Sequence, residues 1–123
     1  MSALATNRAL GWVEQGLVPD RVVRMGIRRL LQQRMPGRVA MECVASSLKL
    51  SVRTLHRRLA HEGRTYRALA NEASAIIAKR LLVDERCTIQ EVASLMGFSD
   101  ATSFHRAFKR WTGTTPNTFR QGA

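Results

Sequence analysis

The sequence predicts an all-α protein, and three observations support this fold class. Apolar residues recur at helical spacing along nearly the whole chain, and no run alternates apolar with polar residues as a half-buried strand does. The dipeptides typical of tight β-hairpin turns are absent. A pattern of two short helices joined by a tight turn occurs twice. About seven helices are expected in 123 residues, a length that suits one domain or two very small ones sharing a core.

The composition favours a folded protein of the cytoplasm. With 45% hydrophobic and 24% charged residues the chain can bury a core, which excludes wholesale disorder. No apolar run approaches the length of a membrane span, and no export signal opens the chain. Cys43 and Cys87 are too few and too scattered for a disulfide framework or a zinc site. No metal or cofactor is therefore expected.

The charge of the chain is strongly positive. The net charge is +11, from 20 Lys and Arg residues against 9 Asp and Glu, and 17 of the basic residues are Arg. Excess positive charge on a small domain favours a nucleic-acid partner. The planar Arg fork can also donate two hydrogen bonds at once to a guanine edge or a phosphate.

The first elements lie before the repeated pattern. Residues 1–18 are expected to be an N-terminal extension or linker remnant with a short helix in it. The next helix is predicted over about 19–35, because Pro19-Asp20 suits a first turn and Pro36-Gly37 stops a helix. Four residues form its apolar face: Val23, Ile27, Leu30 and Leu31.

Two short helices over about 39–48 and 51–62 follow, and then a longer helix over about 65–83. Five residues of the long helix stand at core spacing: Leu69, Ala73, Ile76, Ile77 and Leu81.

The last helices are indicated by their ends. Thr88 and Glu91 form a capping box, in which each side chain would satisfy a free N–H at a helix start. That helix ends at Met96-Gly97, since glycine adopts the required backbone conformation without cost. Another helix is predicted from Ser99 to about Trp111, and a short one opens at Thr115-Pro116.

The repeat itself is the most informative feature. The pattern Val44-Ala45-Ser46, Leu50-Ser51, Leu55-His56-Arg57 and Leu59 recurs as Val92-Ala93-Ser94, Phe98-Ser99, Phe104-His105-Arg106 and Phe108, with one extra residue in the second copy. In each copy a short helix with a small alanine precedes a tight turn and a second helix opened by serine. This is the helix-turn-helix pattern, whose second helix enters the DNA major groove.

The second helix of each copy has two faces. The core stripes are predicted to be Val52, Leu55 and Leu59 in the first copy and Phe104, Phe108 and Trp111 in the second. Arg53, His56 and Arg57 then face outward in the first, with Thr54, Arg58 and His61 beside them. The outward residues of the second copy are Thr102, His105, Arg106 and Lys109, flanked by Ser103 and Arg110. No partner ligand stands at a workable spacing for His56 or His105 to bind a metal.

Residues 89–120 resemble the signature of the AraC/XylS transcription regulators, and residues 50–63 resemble the first helix-turn-helix of that family. Within the family the chain is most similar to the branch that includes ornithine-utilisation regulators. The resemblance implies a DNA-binding domain over 19–121. It would consist of two helix-turn-helix units, at about 39–62 and 88–112, joined by the long helix at about 65–83.

The resemblance also implies how DNA is contacted. Family base-contact positions fall on Arg53, His56, Arg57, Thr102, His105 and Arg106, and on Ala101, which could meet only a thymine methyl group. Contacts to the DNA backbone are expected from Ser51, Thr54, Arg58, Arg64, Ser103, Lys109 and Arg110. Ser74 stands where many relatives carry Arg, so a salt bridge or phosphate contact is not expected there.

The predicted function is sequence-specific binding of double-stranded promoter DNA to regulate transcription, and the predicted class is not an enzyme. RNA polymerase would be a further partner. Family members usually carry an additional effector-sensing or dimerisation domain, for which residues 1–36 are too short. The chain would then be either a fragment or a stand-alone binder.

Two other classes fit parts of the sequence. The charge alone permits an RNA-binding or ribosome-associated protein, although such modules typically need exposed stacking aromatics. The basic amphipathic helix at 19–35 could bind a membrane surface, although its apolar face is better explained by packing on the first helix-turn-helix. For an enzyme, no nucleophile–base–acid set or phosphate-binding glycine loop can be named.

Overall fold

The structure is a computed structural model that describes residues 18–36 and 39–122. These residues form seven α-helices and no strand: α1 (Asp20–Arg34), α2 (Met41–Ser47), α3 (Val52–His61), α4 (Tyr66–Val83), α5 (Ile89–Leu95), α6 (Ala101–Thr112) and α7 (Pro116–Gly122). The all-α prediction is confirmed. The short helix expected within residues 1–18 lies outside the described residues. None of the described helices is long and apolar enough to cross a membrane.

The described chain divides into two compact units, residues 18–33 with 39–69 and residues 34–36 with 70–122. In the first unit, α1 buries one aliphatic stripe, formed by Val23, Ile27 and Leu31. The helix-turn-helix of α2 and α3 buries Val44, Ala45, Leu48, Leu55 and Leu59. A methyl group placed on Gly26 of α1 would lie 3.6 Å from the side chain of Leu48, so α1 packs directly on this helix-turn-helix.

The second unit has an aromatic core. Phe104 and Phe108 of α6 are fully buried with Val92, Ala93, Ala78 and Leu82. Their ring centroids are 5.8 Å apart, and Phe108 stands 5.8 Å from Phe119 of α7 in an edge contact. Such tilted pairs add to the free energy gained by burial alone. The C-terminal helix is also fixed by Arg120, whose Nε donates to the Leu82 carbonyl at 3.2 Å and whose Nη2 donates to the Cys87 carbonyl.

Several predicted core positions differ from the structure. Ile76 is 42% exposed, because the buried stripe of α4 includes Ala78 and Leu82 instead. Leu30, Val52, Leu81 and Trp111 are only partly buried. The predicted start of the sixth helix at Ser99 is also wrong: α6 begins at Ala101, and its N-cap is Asp100. The capping box at the start of α5 is confirmed, since Thr88 Oγ1 accepts from the Glu91 N–H and Glu91 accepts from the Thr88 N–H.

Candidate nucleic-acid interface

The two helix-turn-helix turns have matching hydrogen bonds. In the first, the N–H groups of Leu48 and Leu50 donate to the carbonyls of Val44 and Ala45 at 3.2 and 2.9 Å. In the second, Met96 and Phe98 donate to Val92 and Ala93, both at 2.9 Å. The bond that spans five residues is the one that closes a helix in a Schellman turn. Both turns therefore direct a second helix away from the first in the same local way.

The outward face of α3 carries the predicted first-unit base contacts. Arg53, His56 and Arg57 are all exposed, on the side opposite the buried Leu55 and Leu59. The helix is capped by Ser51, whose Oγ accepts from the Thr54 N–H at 3.1 Å and donates to the Thr54 hydroxyl at 2.9 Å. The hydroxyls of the N-cap Ser51 and of Thr54 are thus bonded to each other at the helix start.

The outward face of α6 carries the second-unit residues. Thr102 and Arg106 are exposed, and His105 is partly buried. Farther along the helix, Lys109 and Arg110 are exposed in the last turn. Ser103 is partly buried, and its N–H donates to Asp100 Oδ1 at 2.7 Å.

The N-cap of α6 is charged, in contrast to that of α3. Hydrogen bonds from Ser103 lower the pKa of Asp100, and the nearby positive charge of Arg106 lowers it further. A carboxylate at a helix N-terminus is stabilised by the free N–H groups there. Asp100 therefore stays ionised and attracts Arg106, a basic residue of the outward face. One signal for this cap was present in the sequence: the second copy of the repeated pattern contains one extra residue.

The expected phosphate contact of Arg58 is wrong. This side chain is buried, with 8% of its surface exposed, and its guanidinium points into the first unit. Its Nε donates to Asp20 Oδ1, and its Nη2 donates to the Val18 carbonyl. The helical face of Arg58 borders the outward face, but a carboxylate on α1 draws the long side chain inward. Arg64, the other basic residue near the end of α3, is partly buried.

The cluster around Asp20 is a structural feature that sequence reasoning missed. Besides Arg58, His61 Nδ1 lies 3.0 Å from Asp20 Oδ2. The hydrogen bond from Arg58 is the largest effect on the pKa of Asp20, which is lowered despite the opposing effect of burial. Arg58 and His61 are three residues apart and so share one side of α3. That spacing was visible in the sequence, but the position of the carboxylate on α1 was not.

Comparison with known proteins places this pair of units in a family. A family model described as a helix-turn-helix domain, that of the AraC/XylS regulators, matches residues 44–122, more than half of the chain. The chain belongs to the AraC/XylS family. The predicted resemblance is thereby confirmed, and the relatives of this AraC/XylS domain are transcriptional regulators rather than enzymes.

Two curated relatives and one solved structure illustrate the similarity. An uncharacterized HTH-type transcriptional regulator of Mycobacterium tuberculosis is 42% identical over 76 residues, 62% of this chain and 22% of that protein. The ornithine utilization regulator of Pseudomonas aeruginosa is 35% identical over 95 residues, 77% of this chain and 28% of that protein. The crystal structure of the transcriptional regulator CdpR from Pseudomonas aeruginosa is 42% identical with a TM-score of 0.72, over 80% of this chain and 31% of that one. The chain thus spans about a quarter of the length of these relatives.

Proposed function

We propose that this chain binds double-stranded DNA in a sequence-specific manner and regulates transcription, acting in the cytoplasm where bacterial DNA lies. Helices α3 and α6 would each enter a major groove, in successive segments on one face of the duplex. One observation carries the proposal. Each helix follows a helix-turn-helix turn and presents an exposed Arg next to a His, at Arg57 and Arg106, on a chain of net charge +11.

Base specificity is assigned mainly to these two arginines. An Arg that donates two hydrogen bonds to a guanine discriminates against other bases by about 1–3 kcal/mol. Arg53 and His56 would support Arg57, and Thr102 and His105 would support Arg106. We expect Arg57→Ala and Arg106→Ala each to relax the base preference in one segment of the site. Loss of affinity for all sequences alike would show that these arginines contact the DNA backbone instead.

Contacts to the DNA backbone are assigned to Ser51, Thr54, Arg64, Ser103, Lys109 and Arg110. Each phosphate neutralised by a basic side chain adds roughly 0.9 to the magnitude of the slope of log affinity against log salt concentration. Lys109→Gln should reduce that slope by about 1 and weaken consensus and scrambled duplexes equally. Lys79→Gln is the matched control, because Lys79 Nζ lies over the Phe119 ring, 5.4 Å from its centroid, within the second unit. It should leave the slope unchanged.

The proposed geometry of binding is one chain on one asymmetric site. Helix α4 is a continuous helix of 18 residues, about 27 Å long at 1.5 Å per residue. The helical repeat of DNA is about 34 Å, so tilted recognition helices or DNA bent toward the protein would be needed. Two alanines inserted beside Ser74 add about 200° of rotation along this helix. Specific affinity should then collapse while helical content measured by circular dichroism persists.

Binding of a promoter duplex, an RNA hairpin and anionic vesicles at equal salt concentration tests the function as a whole. We expect specific binding to the duplex alone. Preferential binding of the hairpin or of the vesicles would replace this proposal with one of the other two classes.

We propose RNA polymerase as a further partner, together with an effector-sensing or dimerisation domain of the kind that longer regulators carry. Sedimentation of the complex should show one chain per site, and an obligatory dimer on a palindrome would contradict the proposed geometry.

A further inference from the structure

The N-caps give the two recognition helices a common register. Counted from the caps Ser51 and Asp100, the fifth and sixth residues are His56-Arg57 in α3 and His105-Arg106 in α6. Counted from the tight turns, the two pairs would be offset by one residue. The register therefore depends on Asp100, and not Ser99, being the cap of α6.

Burial confirms this register independently of the caps. The fourth residue after each cap is completely buried, Leu55 in α3 and Phe104 in α6. The eighth residue is buried as well, at Leu59 and Phe108. Since the same positions point into each core, the same positions also point out of it. Each His–Arg pair therefore has the same rotational position on its own helix.

Within the first two helical turns of α3 and α6, the outward faces carry chemically different side chains at one exposed position. The second residue after the cap is Arg53 in α3 and Thr102 in α6, and both side chains are exposed. The third residue is a partly buried hydroxyl residue in both helices, Thr54 and Ser103. The first residue is apolar and partly buried in both helices, Val52 and Ala101. The two faces should therefore recognise the same bases at most positions and differ in the base they recognise at one position.

We propose that the DNA target contains the same short word twice, with one base pair distinguishing the two copies. This rests on the proposed function. Arg57 and Arg106 would each require a guanine at the same place in their copies. The distinguishing pair would be G·C in the copy read by α3, because Arg53 can donate two hydrogen bonds to guanine. In the copy read by α6, Thr102 imposes no such requirement, since a threonine can bond to either base edge or contact a thymine methyl.

The test is an exchange of the two residues. Bound duplexes are selected from random DNA with the unaltered chain and with the double variant Arg53→Thr, Thr102→Arg, and recurring words are scored on both strands. The unaltered chain should select two related words, and the double variant should move the distinguishing guanine from one copy to the other. Each protein should prefer its own site over the exchanged one by roughly 5- to 150-fold, the range expected for a two-bond contact to guanine.

The single variants sharpen the test. Arg53→Thr should select two copies without the distinguishing guanine, and Thr102→Arg two copies that both require it. Arg67→Thr is the matched control, because Arg67 is exposed on α4 and lies outside both recognition faces. Circular dichroism checks that each variant is folded. A selected site without a recurring word, or a double variant that keeps the original preference, would overturn the inference while leaving DNA binding intact. Failure to enrich any sequence would overturn the proposed function and the inference with it.

Discussion

The turns of the two helix-turn-helix units have the same hydrogen bonds, but different residues occupy the position with left-handed backbone. Lys49 occupies that position in the first turn with φ of 56°, and Gly97 occupies it in the second with φ of 83°. Left-handed backbone costs a residue with a Cβ roughly 1–2 kcal/mol, and glycine does not bear that cost. The first unit thus tolerates a strained residue, which the surrounding packing and the bond from Leu50 to Ala45 must hold in place.

The units also differ in what supports the second helix of the helix-turn-helix. Arg58 and Ala107 stand at equivalent positions, seven residues after their caps, and both are buried. In the first unit the arginine binds a carboxylate of α1, which precedes the helix-turn-helix. In the second the alanine lets the aromatic core close, and Arg120 of α7, which follows the helix-turn-helix, bonds the carbonyls at Leu82 and Cys87. Each helix-turn-helix is therefore stabilised by a different flanking helix, α1 in the first unit and α7 in the second.

The largest effects should come from the two cores. Phe104→Ala should destabilise the chain by about 3–5 kcal/mol, and Leu55→Ala, at the equivalent position, by about 2–5 kcal/mol. Unfolding in urea measures both free energies. Amide hydrogen exchange should accelerate most in the unit that carries the substitution, because each unit buries its own cluster of side chains. Equal acceleration in both units for either variant would show that the two cores open together.

Removal of the carboxylate beside Arg58 should have the next largest effect. Asp20→Ala should cost about 2–4 kcal/mol of stability, because it leaves a buried guanidinium without the carboxylate that compensates its charge. The matched control is Glu62→Ala, since Glu62 Oε1 lies 4.0 Å from Arg24 Nε in a more exposed pair. Exposed pairs contribute about 0–1 kcal/mol. Similar losses for the two variants would show that the Asp20 cluster is an ordinary surface interaction.

The turn residues should respond in opposite directions to substitution. Gly97→Ala should destabilise by about 1–2 kcal/mol through its backbone alone, because a Cβ at this glycine would meet nothing within 4 Å. Lys49→Gly should be neutral or stabilising by up to about 1 kcal/mol, since relief of strain exceeds or balances the added entropy of the unfolded chain. Thermal unfolding of both variants measures the difference. A destabilised Lys49→Gly variant would contradict the presence of strain at Lys49.

The smallest effect should be a dependence of stability on acid pH. The pKa of Asp20 is below its ordinary value of 3.8. Its contribution is therefore complete above the pKa of the unfolded chain and is lost as pH falls through the lower pKa of the folded chain. In the second unit the pKa values of Glu91 and Asp100 are lowered as well, so their contributions to stability are also lost as pH falls. Stability measured from pH 6 down to about pH 2 should fall less steeply for Asp20→Asn, and an unchanged curve would contradict the role of Asp20.

Local patterns predicted most of the fold. Helical spacing, the caps and the repeat are encoded in neighbouring residues, so all seven described helices were expected close to their observed bounds. Ile76 was misjudged because both sides of α4 carry apolar residues, and only the packing partners decide which side is buried. The outward positions of Arg53, His56, Arg57 and Arg106 follow from the helical period, and these side chains are exposed. Arg58 could not be placed in this way, because its partner Asp20 lies 38 residues away in the chain.

The Asp20–Arg58 bond bears on the choice of a minimal fragment. The family model matches from Val44, a range that leaves out α1 and the first turn of α2. A fragment cut there would lose the start of the first helix-turn-helix, and it would remove the carboxylate that lies beside Arg58 and His61 of α3. The range that the family model matches is therefore shorter than the two compact units, the first of which includes α1. We expect a fragment that begins at or before Val18 to be more stable than one that begins at Val44, because it keeps the bonds from Arg58 to Asp20 and Val18.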